Sequence, residues 1–120
     1  MEDFKLFDAE QRFCEIVWEN EPVRSTELAR LCEEHLGWRK STTYTVLRKL
    51  CGRGILQNRD AVVTSLIRRD QVRQYESEAL LDRAFDGSLP AFISAFLRGR
   101  RLSAKEADEI RKMIEEAEKK

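Results

Sequence analysis

Long hydrophobic runs are scarce in this chain of 120 residues. Its most apolar stretch, residues 91–97, is far shorter than the roughly 20 residues that a membrane-spanning helix needs. The first residues, Met1-Glu2-Asp3-Phe4, are acidic and lack the basic and apolar regions of a signal peptide. We therefore expect a cytoplasmic protein with no membrane partner.

Cysteine and histidine are also scarce. Cys14, Cys32 and Cys51 are odd in number, are widely spaced and include no Cys-x-x-Cys pair, and His35 is the single histidine. This pattern gives neither a disulfide framework nor a zinc site of recognisable spacing. The sequence also has no glycine-rich phosphate loop and no convergent set of groups for nucleophilic or acid–base catalysis. We predict that the protein is not an enzyme, that it binds no metal or cofactor, and that its cysteines are buried and inert.

Charge of one sign is concentrated in one part of the chain. Basic and acidic side chains number 22 each, so the net charge is zero. Residues 1–38 carry four basic and ten acidic side chains (net −6), whereas residues 39–73 carry nine basic and two acidic ones (net +7). Because a polyanion responds to the local field rather than to the total charge, the basic segment is a candidate nucleic-acid surface.

Hydrophobic spacing predicts three helices in the first half of the chain. The first opens at Asp8 as its N-cap, the second is capped by Ser25, and the third runs from about Lys40 to Cys51. Two β-prone runs between residues 55 and 67 then predict a small hairpin. Three helices followed by a hairpin is the order of a winged helix-turn-helix, whose third helix lies in the major groove of DNA.

Helical patterns continue beyond the hairpin, starting near Asp70 and after the capping residues Ser88 and Ser103. The predicted fold is therefore mainly α, with a winged-helix DNA-binding domain over residues 1–73 and a helical dimerisation domain over residues 74–120. Three short helices cannot bury all of their apolar side chains, so a second copy is expected to cover them. The predicted dimerisation residues are Leu80, Leu81, Phe85, Phe92, Ile93, Phe96, Ile110, Met113 and Ile114.

The predicted third helix carries side chains that suit DNA. No acidic residue occurs from Lys40 to Arg59. Hydroxyl groups can donate to and accept from base edges, Arg48 can read guanine, and the flanking cations suit phosphates. The candidate DNA-binding residues are Arg39, Lys40, Ser41, Thr42, Tyr44, Thr45, Arg48, Lys49, Arg53 and Arg59.

These residues also carry a family resemblance. Residues 38–50, which read WRKSTTYTVLRKL, and the following Gly54-Ile55-Leu56 resemble the recognition segment of the penicillinase and methicillin-resistance repressor family. Residues 8–18 and 103–119 look like the first and last helices of that family. The resemblance implies a transcriptional repressor that binds a palindromic double-stranded DNA operator as a homodimer. By position, it implies that Thr42 and Thr45 face the major groove.

The chain departs from the family pattern in three places that bear on control. Repressors of the antibiotic-sensing branch are cut at an Asn-Phe bond, and the counterpart here is Ala95-Phe96. This departure disfavours cleavage by the protease of that branch, and relief of repression by a regulatory protease acting on the C-terminal region stays one hypothesis for induction. The copper-responsive branch ends in Cys-x-Cys, and the absence of cysteine after Cys51 disfavours copper sensing. The hairpin is several residues shorter than usual, which weakens the case for a wing contact in the minor groove.

Two other functions fit the same sequence. The basic stretch could belong to a winged-helix module that binds an acidic protein instead of DNA. A repressor of a related kind could sense a small ligand in a pocket at the dimer interface, and Phe85, Phe92 and Phe96 could line such a pocket. Binding to genomic DNA fragments would separate the first alternative from a repressor.

Overall fold

The computed structural model describes residues 4–119, and it is mainly helical with one small sheet. The described chain divides into two compact units, and the boundary along the chain falls between Ala79 and Leu80. None of the described helices is long and apolar enough to cross a membrane. The elements in chain order are α1 (Asp8–Asn20), β1 (Val23–Arg24), α2 (Ser25–Leu36), α3 (Lys40–Gly52), β2 (Leu56–Arg59), β3 (Val62–Ser65), α4 (Arg69–Phe85), α5 (Leu89–Leu97) and α6 (Ala104–Glu118).

The sheet has three strands, one more than the sequence predicts. Its order is β1-β3-β2, and both pairs are antiparallel. The hairpin between β2 and β3 turns at Asp60 and Ala61, whose φ angles of 54° and 62° are those of a type I′ turn. Ser25 N–H donates to the carbonyl of Ala61 at 2.8 Å, so the turn is attached to the start of α2. Three helices and this sheet confirm the predicted winged helix-turn-helix.

The core of the first unit lies between α1, α2, α3 and the sheet. Phe13 of α1 is fully buried, and its ring stacks on Trp38 with a centroid distance of 5.7 Å. Burial of aromatic and branched side chains from every element contributes most of the stability of such a small domain. The core cluster comprises Leu6, Phe13, Cys14, Val17, Val23, Leu28, Cys32, Leu47, Leu50, Ile55, Leu56, Val63 and Val72.

The helix ends agree with the sequence in part. Asp8 and Ser25 are the first residues of α1 and α2 rather than their N-caps, so the predicted caps are each one residue off. Gly37 ends α2 in the left-handed conformation with φ of 70°, as a C-terminal glycine does. Ser88 and Ser103 cap α5 and α6 through their hydroxyl oxygens, as predicted.

The second unit has little core of its own. Beyond Val72, no described residue falls in the buried class. Phe92 makes an edge contact with Phe85 at 5.4 Å and a tilted contact with Phe96 at 5.9 Å, and this trio is the main aromatic cluster there. The predicted domain boundary between residues 73 and 74 falls inside α4, which runs through it without a break, and that boundary stays a prediction.

Candidate nucleic-acid interface

The third helix has one face fixed in the core and one face in solvent. Thr43, Leu47 and Leu50 are buried at 0–2% exposure. The opposite side carries Ser41, Thr45 and Arg48, all of them exposed. Positions 41, 45 and 48 follow the three- and four-residue spacing that gathers side chains on one helix face. The apolar back holds α3 in place, and the polar front is free to meet a ligand.

The hydroxyl of Thr45 is already engaged within the helix. Its Oγ1 donates to the backbone carbonyl of Ser41 at 2.8 Å, a back-bond common for threonine in helices. The hydroxyl hydrogen therefore points along the helix rather than outward. What Thr45 offers to a ligand is its methyl group and an acceptor lone pair.

Cations stand at the start of α3. Arg39 occupies the N-cap position with extended backbone angles, and Lys40 is the first helical residue. Both are exposed, and the first turn holds no acidic side chain. The positive end of the helix dipole and these two side chains together favour an anion such as a backbone phosphate.

Tyr44 differs from the other predicted contact residues. Its side chain is half-buried and packs against the core cluster of the first unit. Thr42 is exposed, as expected. Tyr44 lies on the flank of α3 where solvent and core meet, and its contact with DNA stays a prediction.

Lys49 and Arg53 are ion-paired rather than free. Lys49 Nζ lies 3.2 Å from Glu10 Oε2, and Arg53 Nη1 lies 3.6 Å from Glu10 Oε1. Arg53 also donates from Nη2 to the carbonyl of Lys5 at 2.6 Å. Both cations face α1. The role of Glu10 is not apparent from the sequence, because no pattern links a carboxylate to cations about forty positions away.

The wing carries a pair of arginines, of which the sequence analysis found one. In the register of the sheet, Val62 of β3 has Arg24 of β1 as its partner on one side and Arg59 of β2 on the other. Directly opposed residues of neighbouring strands point to the same face. Arg24 and Arg59 are both exposed, so they share that face at the tip of the hairpin. Strand β1 is two residues long, too short to give a period-two pattern that would have revealed Arg24.

The wing is attached to the end of α1 by a carboxylate. Glu21 accepts from Ser65 N–H at 2.8 Å, and Ser65 Oγ donates to its two oxygens at 2.9 and 2.8 Å. This contact fixes the sheet relative to the helices, and with it the position of the arginine pair.

The three cysteines are buried or half-buried. Burial raises the pKa of Cys14 to about 12, and the carboxylate of Glu10 adds to that shift. Burial also raises the pKa of Cys32 and of the half-buried Cys51. All three are therefore neutral thiols at physiological pH and poor nucleophiles.

The predicted dimerisation residues form exposed apolar surface in the second unit. On α6, Ile110, Met113 and Ile114 are 41%, 65% and 55% exposed. Leu80, Ile93 and Phe96 are also exposed, and Leu81, Phe85 and Phe92 are half-buried. The predicted cleavage residues Ala95 and Phe96 are exposed and lie within α5. An open pocket beside them is lined by Phe85, Phe92, Ala95, Phe96, Arg98 and Arg100.

The helix-turn-helix, the exposed front of α3 and the arginine-bearing wing define a winged-helix DNA-binding protein. The chain belongs to the penicillinase repressor family, whose sequence pattern matches residues 6–116. It is similar to the penicillinase repressor of Bacillus licheniformis, with 25% identity over 116 residues that cover 93% of this chain and 91% of that protein. Its class is thereby that of a transcriptional repressor that binds DNA.

Proposed function

We propose that the protein represses transcription by binding a two-fold symmetric DNA operator as a homodimer. The observation that supports this most directly is the two-sided character of α3. Thr43 and Leu47 are buried, whereas Ser41, Thr45 and Arg48 are exposed together on the opposite side. A helix that reads the major groove needs one side packed against the core of its domain and a polar side exposed to DNA.

Each group on α3 has a distinct role in this proposal. Arg48 reads a guanine through its two parallel donors, and the Thr45 methyl contacts a thymine methyl. Ser41 and Thr42 contact base edges or neighbouring phosphates near the start of the helix. The exposed cations Arg39 and Lys40, together with the N-terminus of α3, hold the DNA backbone.

The wing adds backbone contacts on the flank of the site. Arg24 and Arg59 are exposed on one face of the sheet, next to the hairpin turn. Arginines in this position suit the phosphates that border the groove occupied by α3. They would set the register of the domain on DNA without reading bases.

The apolar surface of the second unit supports dimerisation. A stripe of α6 that includes Ile110, Met113 and Ile114 is exposed in the single chain. Contiguous apolar surface of this kind marks an interaction site, and a two-fold interface buries the same patch on both copies. Two recognition helices would then sit about 34 Å apart, one turn of DNA, and read a palindrome.

Repression would be relieved by damage to this interface. A cut between Ala95 and Phe96 would separate α6 from the winged helix, and both residues are exposed. Because the bond lies within α5, a protease could reach it only after local unwinding of that helix. The open pocket lined by Phe92, Phe96 and Arg100 favours a second candidate, in which a small ligand acts at the same place.

Selection from random double-stranded DNA tests the proposal. The full chain should enrich a symmetric sequence, and two chains should bind per enriched duplex, measured by fluorescence anisotropy and analytical ultracentrifugation. Enrichment of a single half-site, with one chain bound, would refute the homodimer. Equal affinity for selected and random duplexes would refute sequence-specific repression and favour a winged helix that binds protein.

A further inference from the structure

Glu10 is an acidic side chain buried in the first turn of α1. It is 5% exposed, which is unusual because glutamate is almost never buried unless it is paired. Its Oε1 accepts the N–H of Phe7 at 2.9 Å. Its Oε2 lies 3.2 Å from Lys49 Nζ, and Arg53 Nη1 lies 3.6 Å from Oε1. One buried carboxylate thus faces two cations, Lys49 of α3 and Arg53 directly after that helix.

Those two cations stand close to the DNA-reading face. Thr45 and Lys49 are four residues apart, which makes them neighbours on one side of α3, and Arg53 follows four positions later as the residue after the helix. The side chain of Lys49 is 58% exposed and long enough to swing toward a neighbouring phosphate. If Lys49 moved in this way, Oε2 of Glu10 would lose the cation nearest to it. Leaving a buried charge without its partner is costly, so the ion pair and a phosphate contact compete for Lys49.

We propose that Glu10 is a positioning residue that withholds Lys49 and Arg53 from the DNA backbone and so limits the sequence-independent affinity of the repressor. The inference rests on the proposed function, because it assumes that the front of α3 meets DNA. Phosphate contacts strengthen binding to every sequence and slow release from all of them. With these cations neutralised, binding depends more on base contacts, and the protein leaves DNA more readily.

A pair of charge-matched variants tests this assignment. Glu10→Gln removes the charge but keeps an oxygen that can accept the N–H of Phe7. Glu15→Gln removes the same charge from the same helix, but Glu15 pairs with Arg69 of α4, with 2.6 Å between Oε2 and Nη2. Affinity for a random-sequence duplex is measured by fluorescence anisotropy across a series of salt concentrations. A thermal melt of each variant checks that it is folded.

The expected change is in the salt dependence. Each phosphate newly contacted steepens the plot of log affinity against log salt by about 0.9. Release of Lys49 alone therefore steepens it by about 0.9 for each bound chain, and release of Arg53 as well by about 1.8. Between about 50 and 200 mM salt these are additional losses of affinity of about 3.5-fold and about 12-fold for each bound chain. Glu15→Gln should leave the slope much closer to that of the parent.

Lys49→Gln completes the test, and its effect in the parent does not depend on the folding of Glu10→Gln. It should flatten the slope by about 0.9 in the Glu10→Gln background and by much less in the parent. If Lys49→Gln flattens the salt slope by about 0.9 in the parent itself, Lys49 already contacts phosphate there, and the inference is overturned. Equal slope changes in Glu10→Gln and Glu15→Gln would overturn it as well. A parent that binds no duplex would instead refute the proposed function.

Discussion

Arg48→Ala is the sharpest test of the reading face. The Arg48 side chain is exposed, and it makes no hydrogen bond or ion pair with any other residue between positions 4 and 119. Truncation should therefore change the free energy of unfolding by no more than about 0.5 kcal/mol, as for other surface substitutions. Any large effect on DNA binding then comes from the lost contact with DNA.

The size of that effect follows from the geometry of the proposed dimer. A good bidentate contact between arginine and guanine is worth about 1–3 kcal/mol of discrimination. Two copies on a palindrome double this to about 2–6 kcal/mol, which lowers operator affinity at least about 30-fold. Random DNA has no guanine matched to Arg48. Affinity for it should therefore fall only because each chain loses one positive charge. Anisotropy titrations on both duplexes at one salt concentration measure the ratio.

Substitutions of Thr45 test the same face of α3 independently. Because its hydroxyl hydrogen is donated to the Ser41 carbonyl, Thr45→Val should keep the methyl contact and most of the operator affinity. Thr45→Ala removes the methyl group, worth about 0.8 kcal/mol in each half-site and about 15-fold in total. The reasoning is refuted if valine is as damaging as alanine, or if Arg48→Ala weakens both duplexes equally.

Three further predictions concern other parts of the molecule. Arg24→Ala and Arg59→Ala should each weaken selected and random duplexes alike and flatten the salt slope by about 0.9 per phosphate lost, and an unchanged slope would exclude the wing from the interface. Cys14 should resist a thiol reagent at neutral pH until the protein unfolds, and rapid labelling of the folded chain would contradict its raised pKa. The unfolded thiol ionises near its ordinary pKa of 9.0 and the folded one near about 12, so the free energy of unfolding should fall as pH rises through that window. Met113→Asp and Ile114→Asp should convert a sedimenting dimer into a monomer, and a dimer that persists in both would place the interface elsewhere.

Local patterns predicted the helices well. The spacing of Thr43, Val46, Leu47 and Leu50 predicts one face of α3, and the structure buries all of them except Val46, which is half-buried. Gly37 marked the end of α2 because a left-handed residue without a Cβ is the common way to close a helix. These features depend on neighbours within a few positions, so the sequence contains them directly.

Features that depend on distant partners were missed. Strand β1 exists because Val23 pairs with Val63, forty positions later, and two residues alone carry no strand signal. Lys49 is predicted as a DNA contact because it is a cation near the end of the third helix, and the sequence does not reveal Glu10 as its partner. Tyr44 lies on a flank whose burial is decided by what packs beside it. In each case, tertiary contacts decide what periodicity leaves open.

The charge asymmetry of the chain acquires a physical meaning from these contacts. The acidic first segment does not merely balance the basic one, because α1 directs its carboxylates at particular cations: Glu10 faces Lys49 and Arg53, and Glu15 faces Arg69. A carboxylate a few ångströms away cancels most of the field that a cation exerts on its surroundings, whereas an unpaired cation acts over about one Debye length, roughly 8–10 Å. The field that a DNA duplex meets is therefore shaped by the cations that α1 leaves alone. Those without an ion pair in the described part of the chain include Arg39, Lys40, Arg48, Arg24 and Arg59. They lie on α3, the residue before it and the wing, so a chain of zero net charge can still present a directed basic surface.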